Sequence, residues 1–397
     1  MNAKERFLKY ISFDTGSDSE NEGIPSTEKQ WNLARYLRDE MTAMGLSDVN
    51  LSENCYVTGY LPANTEGLPT IGFIAHMDTY GPVPGGPVNV REIYYEGGEI
   101  LLNEKENLRF TPSEKVIGHH ILITDGTTLL GGDDKAGIAE ILTAVEYFLE
   151  NPEVKHGRVA IGFTPDEEIG RGPAKFDVAG FGADFAYTLD GSSPDVIDAE
   201  NFNAAAAKLT VKGLSCHTGS AKGKMKNALR MAMEFVGELP SDKTPETTEG
   251  YEGFIHLDTM SGDVSEARVS FLLRDHDSDK LEAQKELLQS ISKKLEEKYG
   301  EGRFQLEFKD GYRNMKEMVM TRPEVLTIAE NAVKEAGLNP RYVPIRGGTD
   351  GAKLSFMGLI CPNLGTGSRF CHGVLEHVSL EDMNMMVEIV KNIIKTE

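Results

Sequence analysis

Two textures of hydrophobic position alternate along the first half of the chain. Largely apolar runs at 70–75, 158–163 and 185–189 have the length and continuity of strands buried on both faces. Each run stops at a polar loop: His76-Met77-Asp78-Thr79, Thr164-Pro165-Asp166-Glu167-Glu168-Ile169-Gly170, and Asp190-Gly191. Before and between them, apolar residues recur at helical spacing. Trp31, Ala34, Leu37, Met41 and Met44 form one stripe, opened by Thr27-x-x-Gln30 in the pattern of a capping box and closed at Gly45. Ile138, Ile141, Leu142, Val145, Phe148 and Leu149 form another, directly after Leu129-Leu130-Gly131-Gly132-Asp133-Asp134-Lys135-Ala136-Gly137. The alternation predicts an α/β domain whose mostly parallel sheet is covered by helices on both faces. In that architecture the C-terminal strand ends share a ligand-binding crevice, where His76, Asp78, Asp133, Glu167, Glu168 and Asp190 would converge.

The stretch 80–115 is rich in Gly, Pro and charge, shows no period, and reads as a surface excursion. Near Ala205 the texture changes. Positions 206–211, 254–257, 268–273 and 304–308 read as strands, and 227–239 and 278–299 as helices, the first with Asn227 as its N-cap. Their order, β-α-β-β-α-β, is that of a ferredoxin-like α+β domain. From Thr321 the first texture returns. Pro323 and Gly337 bracket a helix, 359–364 is a further apolar run, and Ser379-x-x-Asp382 caps a closing helix with Met383, Met386, Val387, Val390 and Ile394 inward. The expected organisation is a first domain at 1–204 and 321–397, split by an insertion at 205–320.

Composition narrows the function. Hydrophobic residues at 40% and charged residues at 26% are those of a globular protein, and no apolar stretch is long enough to span a bilayer. A formal charge of −22 disfavours nucleic acid and anionic membranes as partners. The opening residues lack the apolar run of a signal peptide, so the cytoplasm is expected. Cys55, Cys216, Cys361 and Cys371 show no Cys-x-x-Cys spacing, so a metal here would be held by His, Asp and Glu. The nine-residue stretch 129–137 could be a phosphate cradle, but it does not match Gly-x-x-x-x-Gly-Lys-Ser/Thr. Its doubled aspartate suits a cation site or simply favours the helix dipole. Histidine and carboxylate loops after several strands favour a hydrolytic site for zinc, manganese or cobalt. Two such ions need a shared carboxylate on rigid backbone, and Asp133 is well placed for it.

His76-x-Asp78, Gly-Gly-Asp-Asp-Lys-Ala-Gly, Asp-Glu-Glu-Ile-Gly, Leu-Asp-Gly, Cys216-His217-Thr218-Gly219, Arg346-Gly-Gly-Thr-Asp-Gly and His372-x-x-x-Glu376 stand in the order seen in the M20 family of dinuclear zinc peptidases, which the chain resembles through nearly its whole length. Thr-Pro-Asp-Glu-Glu, Glu200-Asn-Phe-Asn-Ala and Thr248-Glu-Gly-Tyr-Glu-Gly-Phe resemble its tripeptide aminopeptidases more particularly. The resemblance implies a zinc-peptidase catalytic domain with an inserted lid and dimerisation domain, in a homodimer acting on small peptides. It implies two Zn²⁺ per subunit, with Co²⁺ or Mn²⁺ also accepted. His76 and Asp190 would hold one ion, Glu168 and His372 the other, and Asp133 both. Asp78 would fix the His76 tautomer and Glu167 would be the general base. His217 would stabilise the oxyanion, and Arg274 and Arg346 would grip the substrate carboxylate. His372 is preferred to His377 because His-x-x-x-Glu is the family spacing. A cis peptide between Asp133 and Asp134 is also implied. The alternatives are another M20-type activity (dipeptidase, carboxypeptidase or deacylase of N-acyl amino acids) or a non-catalytic metal-binding protein on this scaffold.

Overall fold

The computed structural model describes residues 1–395. Two compact units are present: residues 1–199, 315–343 and 349 onward in the first, and 200–314 with 344–348 in the second.

The first unit is built on an eight-stranded sheet in the order Ser47–Leu51, Val57–Leu61, Val159–Thr164, Ile71–His76, Phe185–Gly191, Asn363–Gly365, Val196–Asp198, Arg341–Tyr342. The four strands from Val159–Thr164 to Asn363–Gly365 run parallel, and antiparallel neighbours flank them. These central strands carry the apolar runs, and both of their faces are covered. Ile74 and Ala186 point to a cluster with Phe176, Phe181, Leu354 and Leu359. Leu189 points the other way, against the helix Gly132–Glu150. The approach there is so close that a Cβ on Gly137 would lie 2.3 Å from the Leu189 carbonyl oxygen. The register sets His76 beside Thr164, so the loops that follow these two strands emerge side by side.

Two local expectations are corrected. The helix Gln30–Met44 has no side-chain cap: Thr27 Oγ1 donates to the Gly16 carbonyl, and the Gln30 amide donates to Asp166. Long-range partners have won over the local cap. The excursion after Tyr80 is ordered rather than irregular. Arg91–Tyr94 pairs with His120–Ile123, which pairs in turn with His377–Ser379, while Ile100–Asn103 and Leu108–Phe110 form a hairpin. Tyr95, Leu102, Phe110, Val116, Ile121 and Ile123 give this region its own apolar cluster. Strands of three or four residues are too short to show a period.

The second unit is a four-stranded antiparallel sheet in the order Phe254–Gly262, Glu266–Asp275, Asn203–Lys212, Phe304–Asp310, with helices Ala228–Gly237 and Ser278–Tyr299 packed on it. The sequence order is β-α-β-β-α-β, as the patterning predicts. Ala205, Ala207, Leu209 and Val211 alternate inward to meet Met231, Phe235, Leu288 and Leu295. Asn227 caps its helix by accepting from the Arg230 amide, and in the first unit Ser379 accepts from that of Asp382.

Midway along Gly132–Glu150, Glu140 is fully buried, and neither carboxyl oxygen has a partner among the described residues. Burial, with Asp382 adding to it, holds this carboxyl well above the usual range. The folded state keeps a proton that the unfolded state releases once pH passes the ordinary glutamate pKa, so Glu140 costs more stability as pH rises. Glu140→Met is expected to raise the urea midpoint at about pH 8, with the gain shrinking toward about pH 5. A variant less stable than the parent at the higher pH would contradict this.

Candidate metal centre and active site

Chain geometry at the strand ends presents the site. His76 is the last residue of Ile71–His76, Asp190 lies at the end of Phe185–Gly191, and Glu167 and Glu168 occupy a single 3₁₀ turn just beyond Val159–Thr164. Asp133 and Asp134 have non-helical backbone angles at the start of Gly132–Glu150, and the peptide bond between them is cis. His372 sits at φ 65° in the turn between Ser368–Arg369 and His377–Ser379.

Asp133 stands between two groups. Its Oδ1 lies 2.9 Å from His76 Nε2, which is 3.5 Å from Asp190 Oδ1. Its Oδ2 lies 3.2 Å from His372 Nε2, which is 2.9 Å from Glu168 Oε2. In each triad, His76–Asp133–Asp190 and Asp133–Glu168–His372, the ligand-type atoms all lie within 4.8 Å of one another. His377 joins neither. It is buried against Phe110 and Phe370, its Nδ1–H donates to the Leu375 carbonyl, and burial pushes its pKa down to about 4.

The surroundings set the orientation of each group. His76 Nδ1–H donates to the Asp78 backbone carbonyl at 3.0 Å, which leaves Nε2 for the site. The Asp78 carboxylate lies 3.5 Å from the same nitrogen and accepts the amides of Glu167 at 2.9 Å and Glu168 at 3.2 Å. Asp78 thus ties the His76 loop to the acidic turn. Tyr80 stacks on His372 with ring centroids 4.8 Å apart. Glu376 accepts the amides of Leu130, Gly131 and Asp133 at 2.8, 2.7 and 2.9 Å, and so clamps the loop that carries Asp133. Gly132 permits this approach, since a Cβ there would meet Ser368 Oγ and Val378 at 2.5 Å.

Charge is concentrated here. Burial pushes the carboxyls of Glu168 to about 7, Asp190 to about 6 and Asp350 to about 6, and that of Glu167 well above its usual range. Against the same burial, His372 and His76 hold Asp133 below the carboxylate range. His372 in turn is raised to about 11 by Asp133 and Glu168. The cluster therefore draws positive charge to the same two places where the donor atoms converge. Glu168 Oε1 and Asp134 Oδ1 are buried without partners among the described residues. Oxygen and imidazole donors, orphaned carboxylate oxygens and a shared aspartate fit a pair of divalent cations.

His217, Arg274 and Arg346 belong to the second unit. His217 is exposed, and its Nδ1 accepts the Gly219 amide. Arg274 donates to the Tyr312 hydroxyl and to the Ala205 and Leu273 carbonyls. Arg346 donates to the Gly250 and Glu252 carbonyls and Thr248 Oγ1, with Phe202 and Phe254 beneath its guanidinium. Asp350 has no role in the sequence reading, although it is the aspartate of the Arg-Gly-Gly-Thr-Asp-Gly motif. It accepts Thr164 Oγ1 at 2.8 Å and adds to the charge around Glu167. Tyr80 carries no sequence signal beyond its place after His76-x-Asp78.

The peptidase dimerisation domain family matches residues 199–303. The chain is 48% identical over 398 aligned positions to peptidase T of Geobacillus thermodenitrificans, covering 98% of this chain and 97% of that protein. It is 49% identical over 397 positions to peptidase T of Brevibacillus brevis, covering 97% of each. Among solved structures, the aminopeptidase PepT of Bacillus cereus has a TM-score of 0.79 at 21% identity, covering 99% of this chain and 97% of that one. The YXEP protein of Bacillus subtilis, a dinuclear metal-binding peptidase of the M20 family, has a TM-score of 0.64 at 14% identity, covering 98% and 96%. These two share the fold.

In Glu376→Gln the amide nitrogen replaces one acceptor oxygen of the clamp, so a backbone N–H faces a donor. The cost is expected to be about 1–3 kcal/mol in urea unfolding. An unchanged midpoint would show that the three amides are satisfied in some other way.

Proposed function

The chain belongs to the peptidase T family of M20 peptide hydrolases, and from that premise we propose that it is a tripeptide aminopeptidase working at a two-cation centre shared by Asp133. The observation that carries the proposal is the division of Asp133, one oxygen toward His76 and Asp190 and the other toward His372 and Glu168. Those five side chains would hold two zinc ions, and the same donors accept cobalt or manganese. When bound, such ions polarise a scissile carbonyl and make water more acidic.

The protein's own groups supply the rest. Glu167 follows Asp166 in the turn and is next to a ligand without joining either triad. Its carboxylate is the general base: it takes a proton from the attacking water and passes it to the departing amine. Burial beside Asp190 and Asp350, which raises its proton affinity, suits that exchange. Asp78 holds the backbone of Glu167 and the tautomer of His76 together. His217, exposed in Cys216-His217-Thr218-Gly219, would donate to the developing oxyanion. Arg274 and Arg346 would bind the substrate's C-terminal carboxylate, which limits peptide length. Arg346 is braced by carbonyls and aromatic faces within its own unit, an arrangement that presets its direction. The match to the peptidase dimerisation domain supports a homodimer. Among the described residues no helix is long and apolar enough to cross a membrane, and the proposed location is the cytoplasm.

Initial rates on a ladder of di-, tri- and tetrapeptides with free or acetylated N-termini test this reading. Free tripeptides should be cleaved fastest, with release of the N-terminal residue, and acetylation should abolish turnover. Rapid cleavage of acetylated peptides with no action on free tripeptides would assign the site to a deacylase instead.

A further inference from the structure

The acidic turn contains three consecutive carboxylates, and the proposed chemistry uses only Glu167 and Glu168. Asp166 is fully buried and holds φ 59°, the left-handed region that few residues other than glycine adopt. Its side chain faces away from the triads, toward the segment 24–30. Oδ2 accepts the Ser26 amide at 2.8 Å, and Oδ1 accepts Ser26 Oγ at 2.6 Å and Gln30 Nε2 at 2.7 Å.

The segment that receives Asp166 also touches the other site loops. Ser17 donates to the Thr79 carbonyl and Thr79 donates to that of Thr15, which fastens the chain to the residue after Asp78. Lys135, in the first turn after Asp133-Asp134, donates from its buried Nζ to the Phe13 carbonyl at 2.8 Å. Arg171 donates to the Ser19 and Asn21 carbonyls just beyond the acidic turn. The segment is closed on itself by Thr27 Oγ1 to the Gly16 carbonyl and by the Asp18 amide to Ser26 Oγ. Residues 13–30 therefore form a strap behind the His76 loop, the Asp133 helix start and the Glu167–Glu168 turn.

We propose that Asp166 is a positioning residue that locks the turn carrying Glu167 and Glu168 to this strap, and so sets the base and one ligand against the loops of His76 and Asp133. This rests on the roles given above to Glu167 and Glu168. Asp166 contacts neither substrate nor ions. It acts by fixing where the next two side chains begin.

Asp166→Asn tests the lock while preserving the backbone, because asparagine also tolerates the left-handed region. Its side chain offers one acceptor oxygen in place of two, so at least one of the three donors loses its partner. Ser26→Ala and Gln30→Met loosen the lock from the other side. Holoenzyme kcat and KM on a tripeptide, zinc affinity by competition with a chromophoric chelator, and thermal melting are measured for each. The expected result, well below each melting temperature, is a loss of roughly 10- to 100-fold in kcat or zinc affinity with KM little changed. Asp166→Asn combined with Gln30→Met should be little worse than either alone. A purely structural role would lower the melting temperature and leave kcat and zinc affinity of the folded protein at parental values. That result in the variants that fold overturns the proposal, and the partner-side variants decide it if Asp166→Asn does not fold. Glu167→Gln is run alongside. If it keeps its zinc and loses turnover while the lock variants behave as the parent, only the lock is wrong. If it stays active, the role of Glu167 as base is wrong.

Discussion

Buried negative charge is the constraint to which the first unit answers. Asp133, Glu167, Glu168, Asp190 and Asp350 lie in one desolvated cluster, where ionised groups lose several kcal/mol of solvation each unless charge or hydrogen bonds compensate. The compensation within the chain is directional. Backbone amides go to Asp78 and Glu376, and imidazole nitrogens go to both sides of Asp133. What remains is a demand for positive charge at two points, each between a histidine and a carboxylate. A pair of divalent cations would answer that demand and supply the Lewis acidity that amide hydrolysis uses.

The fold meets the same constraint with rigid supports. Parallel central strands end level with one another, so loops distant in sequence emerge as neighbours. Each loop is then held from behind. Glu376 holds the approach to Asp133, Asp78 links the His76 loop to the acidic turn, and Asp166 ties that turn to the strap at 13–30. Carboxylates thus serve twice here, some turned toward the cluster and others turned away to accept the amides that shape it.

Much of this is legible in sequence, for physical reasons that differ by residue. Continuous apolar runs ending in His or acidic loops identify the central strands and their site ends, because burial on both faces leaves no alternation to confuse. The β-α-β-β-α-β unit is legible because its strands alternate and its helices are long and amphipathic. His372 could be separated from His377 only through the spacing to Glu376, and the structure gives the reason: the buried ring of His377 is turned into an aromatic cluster. What escapes is long-range. Gln30 looks like half of a local capping box, yet its amide reaches Asp166. The excursion after Tyr80 shows no period because its strands are three or four residues long and gain order by pairing, Arg91–Tyr94 with His120–Ile123 and Ile100–Asn103 with Leu108–Phe110. Asp78 is expected to fix the His76 tautomer, and the structure adds which atoms act: its backbone carbonyl makes the closer contact to His76, and its carboxylate serves the neighbouring turn. Sequence spacing carries no information about which atom of a residue does the work.

Asp133 is proposed to serve two ions at once. Equilibrium dialysis of metal-free protein against zinc, with bound metal and tripeptidase activity followed together, tests it most directly. Two ions per chain are expected, with Asp133→Asn weakening both and Asp190→Asn weakening one. Full activity at a single ion per chain, or an Asp133→Asn variant that binds both ions as the parent does, would contradict it.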